Sequence, residues 1–370
     1  IMSKISLKHS GGNVVSLNAP TNAPGAADVA FKLPNNDGSD GQALVTDGSG
    51  NLSFTSVSGA GKARNLIING AFQVAQYGVS STSVGYQTCD RWYLAFGGTD
   101  EAPEQRRANL GAGDAPYELG FPTAYKITNG NQTSGAGASD YIVFITSLEA
   151  QDIANSGWNY KSASSYITLS FWAKSSVAKT FDVKLTTNDG TPQQFNHKFT
   201  LAQDTWTKVT KAIPGNSNLV FDNNASKGVE IQWDMYSGTN YTSGSTVDQW
   251  VTYNGNTSAP DETADWYTTN DATFELTAVQ LEVGNVATDF EHRSFGEMLG
   301  LCQRYFFTNS SAYFPSPMAM QFEFPTTMRA APTITHGHSG SPQMYNITQY
   351  GFNGYSSGNS QGPYYASAEL

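Results

Sequence analysis

Basic side chains are scarce in this chain: 20 Lys and Arg face 31 Asp and Glu, a formal net charge of −11 over 370 residues. An acidic chain repels phosphodiesters and anionic headgroups, which argues against nucleic acid or an anionic membrane surface as the main partner. Charge of either sign is sparse, at 14%. Cysteine is nearly missing: Cys89 and Cys302 lie far apart in different predicted elements. Neither a disulfide framework nor a metal knuckle can be built from two such residues, and both are expected to be buried thiols. No apolar run reaches the ~20 residues that cross a bilayer, so no membrane insertion is expected. Residues 1–15 lack the layout of a signal peptide, which argues against secretion by that route. Catalytic motifs are missing as well. No nucleophile elbow, P-loop or HExxH accompanies His9, His197, His292, His336 or His338. His336 and His338 share one face of a predicted strand, and with no third ligand recognisable nearby they read as exposed strand histidines. No long parallel β-helix repeat is present. Enzyme activity is not expected.

What is present is turn-rich and β-like. Gly, at 36 residues, joins abundant Ser, Thr and Asn, a mix that favours short strands over helices. The length suits two or three domains. Residues 1–64 hold too few large apolar side chains for a core. KISLKHSGGNVVSL gives two short strands around Gly11-Gly12, AFKLP a third, and QALVTDGSGNLSF a hairpin turning at Asp47-Gly48-Ser49-Gly50. Such strands gain burial either by trimeric winding about a shared axis or by lying as an arm on a neighbouring protein. SVSGAGKA then reads as a flexible linker.

Residues 65–293 read as an antiparallel β-sandwich or jelly roll. Its candidate strands are NLIINGAFQV, DYIVFITSL, SYITLSFWAKS, KTFDVKLTT, TWTKVTKAI, KGVEIQWDM and ATFELTAVQLEV. Ile167, Leu169 and Phe171 share one face, Phe181, Val183 and Leu185 another, and Val229, Ile231, Trp233 and Met235 a third; together they should form the core. The apolar parity switches between Leu276 and Val279, which predicts a β-bulge or burial on both faces. A helix follows over 294–307. Ser294 is its N-cap with Glu297 three residues on, and Phe295, Met298, Leu299, Cys302, Tyr305 and Phe306 recur at helical spacing. Residues 308–370 are β-like again, a small tip marginal on its own size and expected to lean on the helix or on neighbouring copies. The fold class is therefore mostly β: an extended β stem, a jelly roll, one linker helix and a small C-terminal β-domain.

Sugars are held by aromatic faces with amides or carboxylates bonding their hydroxyls. Trp172 has the parity opposite to the core set of its strand. Gln232, Asp234 and Tyr236 likewise stand opposite Trp233. If the two strands share a sheet, Trp172, Gln232 and Asp234 line its open face; otherwise a loop or a neighbouring copy covers Trp172. Residues 236–271 set Tyr236, Tyr241, Trp250, Tyr253, Trp266 and Tyr267 among Ser, Thr, Asn and Gly, the composition of an adaptable recognition surface. The alternative is a subunit interface that buries the same rings.

Two resemblances extend this reading. QLEVGNVATDFEHRSFGEMLGLCQRYF, over 280–306, resembles the closing strand and linker helix of tail-fibre-type structural proteins of marine and cyanobacterial bacteriophages, and GPYYASAEL resembles the carboxyl end of that family. NLIINGAF, DRWYL, ITLSFWAKS, TWTKV and VQLEVG, in that order, resemble the carbohydrate-binding-module-like jelly rolls of many phage fibres. The resemblance implies a virion protein made in the host cytoplasm: a homotrimeric tail fibre or spike subunit adhering to host cell-surface polysaccharide. Residues 1–64 would then attach to tail or capsid proteins. The alternative it leaves open is a head fibre or capsid decoration protein built from the same modules. The resemblance also implies a structural calcium between the first and last strands of the jelly roll, where Asn69 and Glu282 could offer oxygens.

Overall fold

A computed structural model describes residues 4–8, 11, 14–18, 32–35, 37–38, 42–46, 49, 51–56, 64–244, 246–314, 316, 318–338 and 342–370. The expected linker from Val57 onward, Gly12, and the turn residues Asp47, Gly48 and Gly50 lie outside the described residues. The chain divides into two compact units, Ile1–Gly61 and Lys62–Leu370.

In the first unit β1 (Lys4–Lys8) pairs with β2 (Val14–Asn18), and β3 (Gln42–Thr46) with β4 (Leu52–Ser56). Leu44, Val45 and Phe54 stay exposed, as so small a set of apolar residues dictates.

The second unit begins with β5 (Ser80–Ser81), β6 (Trp92–Gly97), β7 (Glu104–Asn109), α1 (Ala115–Glu118), β8 (Thr123–Thr128), β9 (Tyr141–Glu149) and α2 (Ala150–Ala154). It continues through β10 (Tyr166–Ser175), β11 (Lys179–Thr187), β12 (Gln193–Leu201), β13 (Thr207–Pro214), β14 (Lys227–Ser237), β15 (Trp250–Thr252) and β16 (Thr273–Val283). These strands make two six-stranded sheets. Sheet A runs β13-β10-β16-β8-β7-β5, and sheet B runs β15-β12-β11-β14-β9-β6. The three alternating faces anticipated from β10, β11 and β14 are buried together between the sheets, as a sandwich requires. The parity switch in β16 is a bulge: the β10–β16 register shifts between Ser170 and Trp172, and Ala278 adopts φ 53°.

NLIINGAFQV, expected as a strand, is not one. Asn69 and Phe72 take left-handed φ of 60° and 55°, which breaks any ladder. The segment threads inward instead, burying Ile67, Phe72 and Val74. The Asn69 side chain pins it by donating to the carbonyls of Val74 and Asp90 at 2.8 and 3.0 Å. Gly70 passes so close that a Cβ there would sit 2.1 Å from the Val279 carbonyl oxygen.

The linker helix is α3 (Phe295–Gln303), shorter than expected. Ser294 caps it, its Oγ accepting from the Glu297 N–H at 3.3 Å. Met298 and Cys302 pack on Val74 of the sandwich. Phe295 is 58% exposed and Tyr305 and Phe306 fall beyond the helix, so the apolar stripe is narrower than its spacing suggested.

Beyond α3 come β17 (Phe306–Phe314), β18 (Met320–Glu323), β19 (Thr333–His336), β20 (Gln343–Tyr345), β21 (Gly351–Tyr355) and β22 (Ser360–Ser367). They form two three-stranded sheets, β17-β22-β19 and β18-β21-β20, over a small core of Phe314, Phe324, Met328, Phe352 and Tyr364. Phe306 stacks on Tyr77 of the sandwich at 3.6 Å between ring centroids. Arg304 makes a forked bond to Glu149, both N···O distances being 2.9 Å. Buried Arg91 bonds Glu369 and lies over the Tyr305 ring. Arg329 donates to the carbonyls of Ala225, Ala368 and Glu369. The tip is thus bolted to the sandwich by strand ends and arginines more than by α3.

Candidate functional site

The outer face of sheet B divides into an apolar half and a polar half. Side chains alternate along each strand. With Phe144 and Trp233 turned to the core, Tyr141, Val143 and Ile145 of β9 and Gln232 and Asp234 of β14 face outward, joined by Ala95 of β6 and by Asp182 and Lys184 of β11. Cross-strand register sets Ala95, Val143, Asp234 and Asp182 in one row, and Ile145, Gln232 and Lys184 in the next.

The segment between β14 and β16 lies over the polar half. β15 pairs with β12. Thr257 accepts from Gln194 and Asn196 through its carbonyl, and from Gln194 through its hydroxyl, at 2.8–3.1 Å. Lys184 Nζ donates to Ser258 Oγ at 3.0 Å, and Lys179 pairs with Glu262 while donating to the Met235 carbonyl at 2.8 Å. Asp182 sits beneath, 1% exposed. Burial, then the neighbouring Glu262 charge, raises its carboxyl well above the ordinary carboxylate range. Burial also raises Glu262, against the pull of Lys179, so these carboxyls hold a proton that ordinary ones would have lost.

Between the halves a groove of about 360 Å³ stays open. Its floor is Val143, Ile145, Gln232 and Lys184, and its sides are Tyr141, Tyr241 and Tyr253. Tyr141 and Tyr241 meet edge to face at 6.2 Å and 83°. Tyr253 is 43% exposed, with the Lys184 ammonium 5.8 Å from its ring centroid. Burial lowers the Lys184 pKa, opposed by nearby Asp234. Gln232 Nε2 donates to both Asp234 oxygens at 2.9 and 3.1 Å, and Ser237 Oγ donates to the first at 2.7 Å, which fixes the amide with its carbonyl available. Ring faces beside a fixed amide and an ammonium suit a flat, hydroxyl-rich ligand.

Three of the nine candidate residues, Gln232, Tyr241 and Tyr253, meet in this groove. Asp234 is fully buried beneath it and positions Gln232. The rest are placed differently. Trp172 lies on sheet A while Gln232 and Asp234 lie on sheet B, so the anticipated shared face does not form. The β14–β9 register slips between Asp234 and Tyr236; that bulge turns Tyr236 to the core side, where it stacks on Tyr267 at 4.3 Å. Trp266 and Tyr267 are 0% and 1% exposed and Trp250 is 9% exposed. Each is tied down through its polar atom: Trp266 Nε1 to the Thr273 carbonyl, Trp250 Nε1 to the Pro214 carbonyl, and the Tyr267 hydroxyl to Asp140. They anchor the segment; they do not face outward. Sequence reasoning missed Tyr141, Val143, Ile145 and Lys184. The unbroken apolar run YIVFIT was the available signal, since a strand apolar on both faces has both faces in use.

Asn69 and Glu282 do not fit a calcium ion. The Asn69 side-chain oxygen accepts from the Val74 N–H. The Glu282 oxygens accept from Gln280 Nε2, the Thr288 N–H and the Thr288 hydroxyl at 2.6–2.9 Å. Both residues already spend their oxygens on protein donors, leaving none directed at an ion. Cys89 and Cys302 are buried free thiols. Among the described residues, no helix is long and apolar enough to cross a membrane.

No protein-family model matches this sequence, and no curated protein matches it. Among solved structures, the chain is similar to the enzymatically active domain of tailspike protein 4 of bacteriophage CBA120, at 13% identity and a TM-score of 0.33. That match covers 60% of this chain and 21% of the other, so the chain spans about a fifth of that domain's length. It is also similar to the family 11 carbohydrate-binding module of a cellulosomal cellulase of Clostridium thermocellum, at 12% identity and a TM-score of 0.28, covering 58% of this chain and 98% of that one. A third similar structure is the N-terminal cellulose-binding domain of a β-1,4-glucanase of Cellulomonas fimi, at 11% identity and a TM-score of 0.28, covering 58% and 99%.

Proposed function

We propose that this chain is a glycan-binding subunit of a phage tail fibre or spike, which holds host surface polysaccharide in the groove of sheet B without cutting it. The observation that carries the proposal is the open groove itself: Tyr141, Tyr241 and Tyr253 beside the fixed Gln232 amide and the Lys184 ammonium. The phage setting rests on the resemblance of residues 280–306 and of the ordered jelly-roll segments. Weak single sites suit a homotrimer, because linked sites raise avidity without new contacts.

The test is a titration of host-cell polysaccharide against the wild-type chain and the Tyr241→Ala/Tyr253→Ala variant. Each stacking ring is worth about 1 kcal/mol, or about fivefold, so the double change should weaken binding roughly 30-fold. The melting temperature should hold, because Tyr253 is 43% exposed and Tyr241 is itself only partly buried. Undiminished affinity would remove the groove from the proposal. Release of new reducing ends from the polysaccharide would contradict adhesion without cleavage.

A further inference from the structure

A second aromatic pocket opens on the outer face of sheet A, on the side of the sandwich opposite the groove. Trp172 stands there, paired with Lys208 of β13 and with Thr277 of β16. The β16 bulge places Ala278 in its lining, where φ 53° and a one-carbon side chain leave a recess beside the indole. Two connecting segments raise its walls. The turn after α1 brings Phe121, and the stretch after β16 brings Phe290 and His292. Phe121 and Phe290 meet edge to face at 5.0 Å, and Phe121 stacks on His292 at 4.9 Å. The space enclosed is about 300 Å³, with Ser170, Lys208, Thr288 and Asp289 also in its lining.

Aromatic walls alone would suit any apolar group. Here the exposed Lys208 ammonium and Asp289 carboxylate stand at the solvent side of the lining, with the Ser170 hydroxyl inside it, giving donors and acceptors around one apolar face. A single pyranose ring satisfies both kinds: one face carries C–H groups for the indole, and its hydroxyls donate and accept around the edge. We propose that the Trp172 pocket is a second saccharide subsite, taking one uncharged pyranose residue. This rests on the glycan-binding reading, and it deepens it. The two sites lie on opposite sheets, so one subunit would grip two separate stretches of polysaccharide.

The probes are the methyl pyranosides of glucose, galactose, mannose and N-acetylglucosamine, added to the full chain at millimolar concentration. Saturation-transfer NMR reads contact with the sugar, and the indole N–H resonance of Trp172 reads the site. In the Tyr241→Ala/Tyr253→Ala background, residual transfer and a shift of that indole resonance are expected. Lys208→Ala, a change at an exposed residue, should weaken the residual binding at least fivefold, and Trp172→Ala should abolish it. If the groove variant loses all transfer, and Trp172→Ala and Lys208→Ala each leave wild-type binding unchanged, the second subsite is overturned while the groove reading stands. If sugar shifts the Trp172 resonance but the tyrosine changes cost nothing, the subsite stands and the groove fails. No transfer to the wild-type chain from any of the four overturns the subsite.

Discussion

At the scale of single residues, the decisive chemistry is that of acids kept from ionising. Asp182 and Glu262 lie beneath the segment that covers sheet B, and burial holds both carboxyls above their ordinary range. A carboxyl harder to ionise in the folded chain keeps its proton over a pH interval in which the unfolded chain has released it. The folded state therefore binds more protons from the ordinary aspartate value of 3.8 upward, and stability falls as pH rises through that interval. Asp182→Asn keeps the shape and removes the titration. Thermal melts of this variant should show a shallower loss of stability with rising pH, with part of the slope remaining because burial also raises Asp90 to about 7. An unchanged slope would show that Asp182 ionises normally. Little of this was legible in sequence. Asp182 alternates with core residues like any solvated strand position, and only the covering segment makes it dry.

At the scale of elements, local rules carried the reading well and non-local ones did not. The core faces of β10, β11 and β14, the Ser294 cap and the β16 bulge depend on alternation or on neighbours within a few residues, and all are present. NLIINGAFQV has a strand's composition, but bonds from Asn69 to Val74 and to Asp90, 21 positions away, hold it in a turn. The sheet membership of Trp172 depends on strand order, which alternation does not encode. The aromatic segment after β14 misled for a different reason. A polar loop rich in Trp and Tyr reads as a surface, yet each indole here reaches a backbone carbonyl with its N–H and buries its ring, so the same composition makes an anchor. Trp266→Ala should accordingly act on stability. Emptying a fully buried indole site costs about 3–5 kcal/mol, enough to lower the melting temperature by several degrees or more. A variant that melts like the wild type would restore Trp266 to the surface.

At the scale of the whole molecule, the second unit is a sandwich and tip joined by the buried Arg91–Glu369 pair, by the half-buried Arg304–Glu149 pair and by Arg329, which donates to backbone carbonyls on both sides of the boundary. Such a joint fixes direction: breaking one buried pair leaves a charge without a partner, which costs several kcal/mol. A tip clasped to a sandwich that bears an open groove fits the proposed role of a fibre subunit presenting its binding faces. The central claim concerns where polysaccharide touches the molecule. Amide and methyl NMR shifts of the full chain, recorded with oligosaccharides cut from host surface polysaccharide, test it most directly. Perturbations should gather on Tyr141, Val143, Ile145, Gln232, Tyr241 and Tyr253 of sheet B, with a second, separate set around Trp172. Perturbations confined to the tip sheets or to the first unit, leaving sheet B silent, would contradict it.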